Sequence, residues 1–131
     1  MVATARTPSA LSALRDAHSA DKLLVLKCDV TTSQDINYIF QRTIEQFGRC
    51  DVVFNNAGYG VIAEVEGTPE DVARAMFDVN FWAAAAVSTE AIRVFRDVNP
   101  NRAGGRLLTN TSMSGLIGIP SFGYYAARQV V

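Results

Sequence analysis

Four short apolar runs, each followed by a longer segment of helical period, leave few folds open to this chain. Leu23-Leu24-Val25-Leu26 and Val52-Val53-Phe54 are continuous runs, the pattern of strands covered on both faces. Val2-Ala3-Thr4-Ala5 reads as the end of a further strand, and Arg106 to Thr111 as a fourth. Between them lie helices with their own start and stop signals. Thr7-Pro8 offers an N-cap and a proline at the first helical position, with Leu11 and Leu14 behind it. Thr32-x-x-Asp35 resembles a capping box, ahead of Ile36, Ile39, Phe40, Ile44 and Phe47 at helical spacing, and Gly48 ends the run. Thr68-Pro69-Glu70-Asp71 starts a third helix, which runs towards Asp97 with a kink near Asn80. A last helix begins near Phe122. Strands alternating with amphipathic helices imply right-handed crossovers, hence an α/β fold with a doubly wound parallel sheet and helices on both faces.

Composition narrows the function classes. The 131 residues are 49% apolar and 19% charged, ordinary for one globular domain over 1–131. A formal charge of −1 supplies no basic surface for nucleic acid. The longest uninterrupted apolar stretch considered, Phe81 to Val87, is far short of the ~20 residues of a membrane span. No signal peptide is read at the N-terminus, and a cytoplasmic location is expected. Cys28 and Cys50 form no CxxC pair and read as buried reduced thiols. His18 is the only histidine and sits among polar residues, so a histidine triad or metal cluster is not expected.

In an open parallel sheet, ligands gather beyond the carboxyl ends of the strands. The residues ending the apolar runs are Arg6, Asp29 with Val30, Asn55 to Gly58, and Thr109 to Ser112. Taken alone, Asn55 and Asn56 could satisfy backbone groups at a strand end, and Asn80 could be a helix-kink residue. Ser114 reads as a loop hydroxyl, and Phe81 and Trp82 as core or subunit-contact residues.

Their combination is specific. Asp51-x-x-x-Asn55-Asn56-Ala57-Gly58, Asp78-Val79-Asn80-Phe81, Thr111-Ser112-Met113-Ser114-Gly115, Gly118-Ile119-Pro120 and Tyr124-Tyr125-Ala126-Ala127 follow in order. Together they resemble the landmarks of the classical short-chain dehydrogenase/reductase family, over nearly the whole chain. The stretches NNAGYG and GIPSFGYYAA are most similar to its 17β-hydroxysteroid-dehydrogenase-like branch. The resemblance implies a Rossmann-like fold and hydride transfer between a nicotinamide and a carbonyl or secondary alcohol, without metal. It implies a catalytic tyrosine, a serine that holds the substrate oxygen, and an asparagine that organises a water relay.

Family spacing places the serine thirteen residues before the tyrosine, which selects Ser112 and Tyr125, with Asn80 as the asparagine. The alternative, Tyr124, would pair with Thr111. The family's lysine, four residues after the tyrosine, is here Gln129 for Tyr125 or Arg128 for Tyr124. Neither reproduces a lysine's compact charge. Cofactor contacts are expected from Arg6, Asp29, Val30, Asn55, Ala57, Gly58 and Tyr125. With Ala5-Arg6 where NAD-dependent relatives carry an acid, the guanidinium favours NADP(H) over NAD(H). Tyr59, Met113 and Phe122, with Val61, Ile119 and Pro120, would line an apolar mouth for a small lipophilic substrate. Full-length relatives are often homo-oligomers.

The family's TGxxxGxG turn and first strand are expected ahead of residue 1, and further segments after the tyrosine helix. Without that strand the sheet is expected as two half-sheets, and the 131 residues alone as weakly folded and inactive. The competing class is a non-catalytic binding module of the same fold.

Overall fold

The computed structural model describes residues 1–127; Arg128 to Val131, and with them Gln129, lie outside the described residues. The elements in order are β1 (Val2–Ala5), a 3₁₀ turn (Pro8–Leu11), α1 (Ser12–Asp16), β2 (Leu24–Lys27), α2 (Ser33–Phe47) and β3 (Val52–Asn55). They continue with α3 (Glu70–Phe77), a π-helical segment (Asp78–Ala83), α4 (Ala84–Arg93), a π turn (Val94–Val98), β4 (Arg106–Thr109) and α5 (Gly123–Ala127).

The strands form two parallel pairs. β1 runs with β2 in the register Val2↔Leu24 to Ala5↔Lys27, and β3 with β4 from Val52↔Arg106 to Asn55↔Thr109. No strand among the described residues joins the pairs. Two half-sheets are what the sequence led us to expect.

The core lies between the β3–β4 pair and two helices. Ile36 and Phe40 of α2 meet Val87 and Ala91 of α4, then Val94 and Phe95 of the following π turn, with Val53 and Leu107 packed against them from the strands. Strand residues alternate in direction, so Val52, Phe54 and Leu108 point the other way. That face is open, with Phe54 62% exposed. Among the described residues, α2 and α4 both pack on the Val53 side of this strand.

Of the two signals that bound α2, one resolves differently from its sequence reading. Gly48 ends α2 as expected, at φ +73° with its N–H donating to the Ile44 carbonyl (2.8 Å). The Thr32–Asp35 capping box does not form. Thr32 Oγ1 donates to the Asp29 carbonyl (3.0 Å), while Asp35 Oδ2 accepts the N–H of Asp29 (2.7 Å). Asp35 therefore braces the turn after β2, because Asp29 reaches it more closely than the cap residue does. The kink expected near Asn80 is the π segment, and β4 ends at Thr109 rather than Thr111.

Cys28 and Cys50 are buried and free. Burial, then the Asp35 and Asp29 carboxylates, push the Cys28 thiol from its ordinary 9.0 to about 11. Because the folded thiol ionises above the unfolded one, this contribution to stability is complete below about pH 9 and is lost as pH rises through about 11. At pH 8 a maleimide should label Cys28 at least roughly tenfold more slowly than in urea-unfolded chain, since only the exposed thiolate reacts. Equal rates would show the thiol is accessible in the fold.

Candidate active site

All four strands present their carboxyl ends to one region, where two clefts meet at Tyr59. The larger, about 860 Å³, lies beyond β1 and β2 and is lined by Arg6, Asp29 and Val30, and by Asp78, Val79 and Trp82 from the helix opposite. The smaller, about 370 Å³, lies beyond β3 and β4. Its wall carries Asn55 to Gly58, Asn80, Thr111 and Tyr125. Tyr59 lines both.

The larger cleft begins where the chain turns out of β1 and β2. Asp29 Oδ1 accepts from the Thr31 hydroxyl (2.7 Å) and the Thr31 N–H (3.0 Å). These bonds, the hydroxyl first, hold its carboxyl below the usual carboxylate range, with smaller help from Arg6 and Lys27. The result is a fixed carboxylate beside a guanidinium, a pairing of acceptors and donors suited to a polar, anionic ligand.

The smaller cleft owes its shape to asparagines. Asn55 is buried, and its Nδ2 donates to the Ala84 carbonyl (2.9 Å), tying the end of β3 to the start of α4. Asn110 donates its N–H to the Asn55 carbonyl (2.9 Å) and its Nδ2 to Asn56 Oδ1 (2.8 Å). Across the cleft, Asn80 stands in the π segment, whose extra residue per turn rotates the following side chains relative to an α-helix. Asn80 is only 8% exposed. Its Oδ1 accepts the Tyr59 N–H (2.9 Å) and its Nδ2 donates to the Tyr59 carbonyl (2.6 Å), a two-point clamp on one backbone residue.

Of the residues singled out in the sequence, Arg6, Asp29 and Val30 share the larger cleft, and Asn55, Ala57, Gly58, Asn80 and Tyr125 the smaller. Tyr124 is on neither wall. Ser112 is half-buried next to the cleft-lining Thr111 but does not itself line the cleft. It caps the short turn Met113–Gly115, its Oγ accepting from the Ser114 hydroxyl (3.0 Å) and N–H (3.4 Å). Ser114 is buried, so it acts here as the support of Ser112 rather than as a loop hydroxyl. Met113 is 71% exposed and lines neither cleft, whereas Phe122 meets the Tyr125 ring edge-to-face with centroids 5.4 Å apart.

Phe81 and Trp82 do not join the core described above. Trp82 is 63% exposed on the wall of the larger cleft, and Phe81 lines the smaller one. The two rings, adjacent in the π segment, pack edge-to-face with centroids 4.7 Å apart. Their place in the sequence next to Asn80 was the available signal.

Residues 1–129 match the sequence pattern of the family described as short chain dehydrogenase. The oxidoreductase calM of Penicillium decumbens is 35% identical over 98% of this chain, and an uncharacterized oxidoreductase of Schizosaccharomyces pombe is 34% identical over 98%. This chain spans 42% and 41% of those relatives. A short chain dehydrogenase from Mycobacterium smegmatis superposes with a TM-score of 0.87 at 28% identity, over 98% of this chain and 54% of that one. The solved structure of ElxO with NADP bound gives a TM-score of 0.86 at 22% identity, over 98% and 52%, a likeness of fold. The pattern extends over both clefts and all four strands that open into them, and the chain belongs to the short chain dehydrogenase family.

Proposed function

We propose that the protein carrying these residues transfers hydride between NADP(H) and the carbonyl or secondary alcohol carbon of a small lipophilic substrate. Residues 1–131 then form part of its nicotinamide-binding domain. The observation that carries this reading is the convergence of Tyr125, Asn80 and the Asn55–Gly58 turn on one cleft that meets a second, Arg6-bearing cleft at Tyr59. The donors and acceptors fit a dinucleotide. The Asp29 carboxylate suits hydrogen-bond donors of an adenosine, with Val30 beside it, and the Arg6 guanidinium suits a 2′-phosphate. Asn55, Ala57 and Gly58 would line the path of the nicotinamide half.

When bound, the nicotinamide supplies or accepts the hydride. The protein's part is the proton. Tyr125 gives its phenol proton to the substrate oxygen during reduction and takes it back during oxidation. Ser112, next to the cleft-lining Thr111 and with its Oγ accepting from the Ser114 hydroxyl, is the group proposed to hold that oxygen once substrate is bound. Asn80 acts through the Tyr59 backbone, because both polar atoms of its side chain are engaged there. Tyr59 and Phe122 border the place for an apolar substrate body, with Met113 at its outer edge. The location proposed is the cytosol, where buried thiols such as Cys28 and Cys50 stay reduced.

The test is NADPH oxidation by the purified whole protein that carries these residues, with a panel of lipophilic ketones and aldehydes; no turnover with any of them would reject the reading. Arg6→Ala should raise the Kd for NADPH by roughly 10- to 100-fold, the scale of losing hydrogen bonds to a charged group. The Kd for NADH should stay unchanged. Tighter NADH than NADPH binding by the parent protein would overturn the cofactor assignment.

A further inference from the structure

We propose that the segment Tyr59 to Val65 is the cradle that sets the Tyr125 ring, and that Gly60 is its positioning residue. This inference rests on the assignment of Tyr125 to proton transfer. A Cβ on Gly60 would lie 2.9 Å from both Cδ2 and Cε2 of Tyr125. Carbon atoms pack at roughly 3.5–4.0 Å, so the ring rests on the glycine backbone itself and any side chain there displaces it.

The cradle is anchored on both sides of that contact. One residue earlier, the Asn80 clamp holds the Tyr59 N–H and carbonyl. Three residues later, Ala63 forms a parallel bridge to Phe122, its N–H donating to the Ser121 carbonyl (2.9 Å). Ser121 takes a left-handed conformation at φ +63°, uncommon for a residue other than glycine and retained where surrounding contacts impose it. Beyond the bridge, Val65 packs against Gly123 at the first position of α5. Loop and helix are therefore joined at three points: Gly60 under Tyr125, Ala63 beside Phe122, and Val65 against Gly123. Rotation or translation of Tyr125 must move a backbone already fixed from the π segment.

The proposal is tested in the whole protein by incorporating 3-fluorotyrosine, which gives four ¹⁹F sites within residues 1–131, and assigning Tyr125 by the resonance lost in Tyr125→Phe. In Gly60→Ala that resonance should shift or broaden. The kcat should fall roughly 10- to 100-fold, the scale of an ångström's misplacement, while the Kd for NADPH holds. Gly67→Ala, whose Cβ would meet only ordinary contacts at 3.7 Å, should move neither. An unmoved resonance in Gly60→Ala overturns the inference. A moved resonance in a protein whose parent never turns over leaves the contact standing and rejects the proton-transfer reading instead. Thermal melts decide the matter if Gly60→Ala folds poorly: its loss should vanish in the Tyr125→Ala background. An equal loss in both backgrounds, or failure to fold in both, shows that the ring is not what Gly60 accommodates.

Discussion

Tyr125→Phe should lower carbonyl-reducing turnover on the order of 10³-fold, with a far smaller change in NADPH binding. The phenyl ring keeps the edge-to-face contact with Phe122 and the seat on Gly60, so the change is confined to the phenol hydroxyl. Tyr124→Phe should leave turnover near that of the parent, because one residue along a helix rotates a side chain by about 100° and Tyr124 lines neither cleft. A larger effect at 124 than at 125 would reverse the choice of tyrosine. The phenol also needs a nearby positive charge if it is to exchange a proton near neutral pH, since a free tyrosine titrates near ~10. The family supplies a lysine four residues on, and position 129 here is glutamine. Gln129→Lys should therefore raise turnover and move the pH optimum towards neutrality, and adding Tyr125→Phe should abolish the gain. NADPH binding without turnover in every variant would identify a non-catalytic binding module.

The alternation of apolar runs with helical spacing was enough to place the strands, because each property is local: a run of branched residues, a cap, a glycine stop. Gly48 and the acidic first turn of α3 are read directly from sequence for that reason. Thr32 and Asp35 show the limit. Their spacing fits a capping box, but Asp35 found a closer partner in the Asp29 N–H, a choice decided by how the chain leaves β2. The strand Val52–Asn55 is apolar in both directions, and the sequence cannot say which elements cover each side; α2 and α4 cover one. At the site, Asn80 was legible through its flanking residues. Its clamp on Tyr59 was not, since it depends on a π segment and a contact spanning twenty-one residues. Gly60 carried no signal in the sequence beyond that of a loop glycine, because its role is defined by a ring sixty-five positions away.

Asn99→Ala should cost about 3 kcal/mol or more of stability, lowering Tm by roughly 10 °C. In sequence Asn99 is part of an Asn-Pro-Asn loop, yet it is only 4% exposed and uses its whole amide on backbone groups. Oδ1 accepts the Cys50 N–H (2.9 Å), and Nδ2 donates to the carbonyls of Cys50 (2.6 Å) and Gly104 (2.8 Å). Cys50 leads into β3 and Gly104 into β4, so one side chain sets the start of both strands. Two residues further, the Arg106 N–H meets the Asp51 carbonyl (2.8 Å) and the parallel register begins. Alanine leaves one N–H and two carbonyls without these partners, at about 1–3 kcal/mol for each buried group left unsatisfied. Asn99→Asp should be no better, since a carboxylate cannot donate to either carbonyl and repels both. Asn56→Ala is the control, an exposed amide whose loss should stay within about 0.5 kcal/mol. Because Asn99 lies at the end of the strands opposite the clefts, protein that remains folded should bind NADPH as before. Separate losses of stability without binding would mark Asn99 as the pin of the β3–β4 register; an unchanged Tm would refute it.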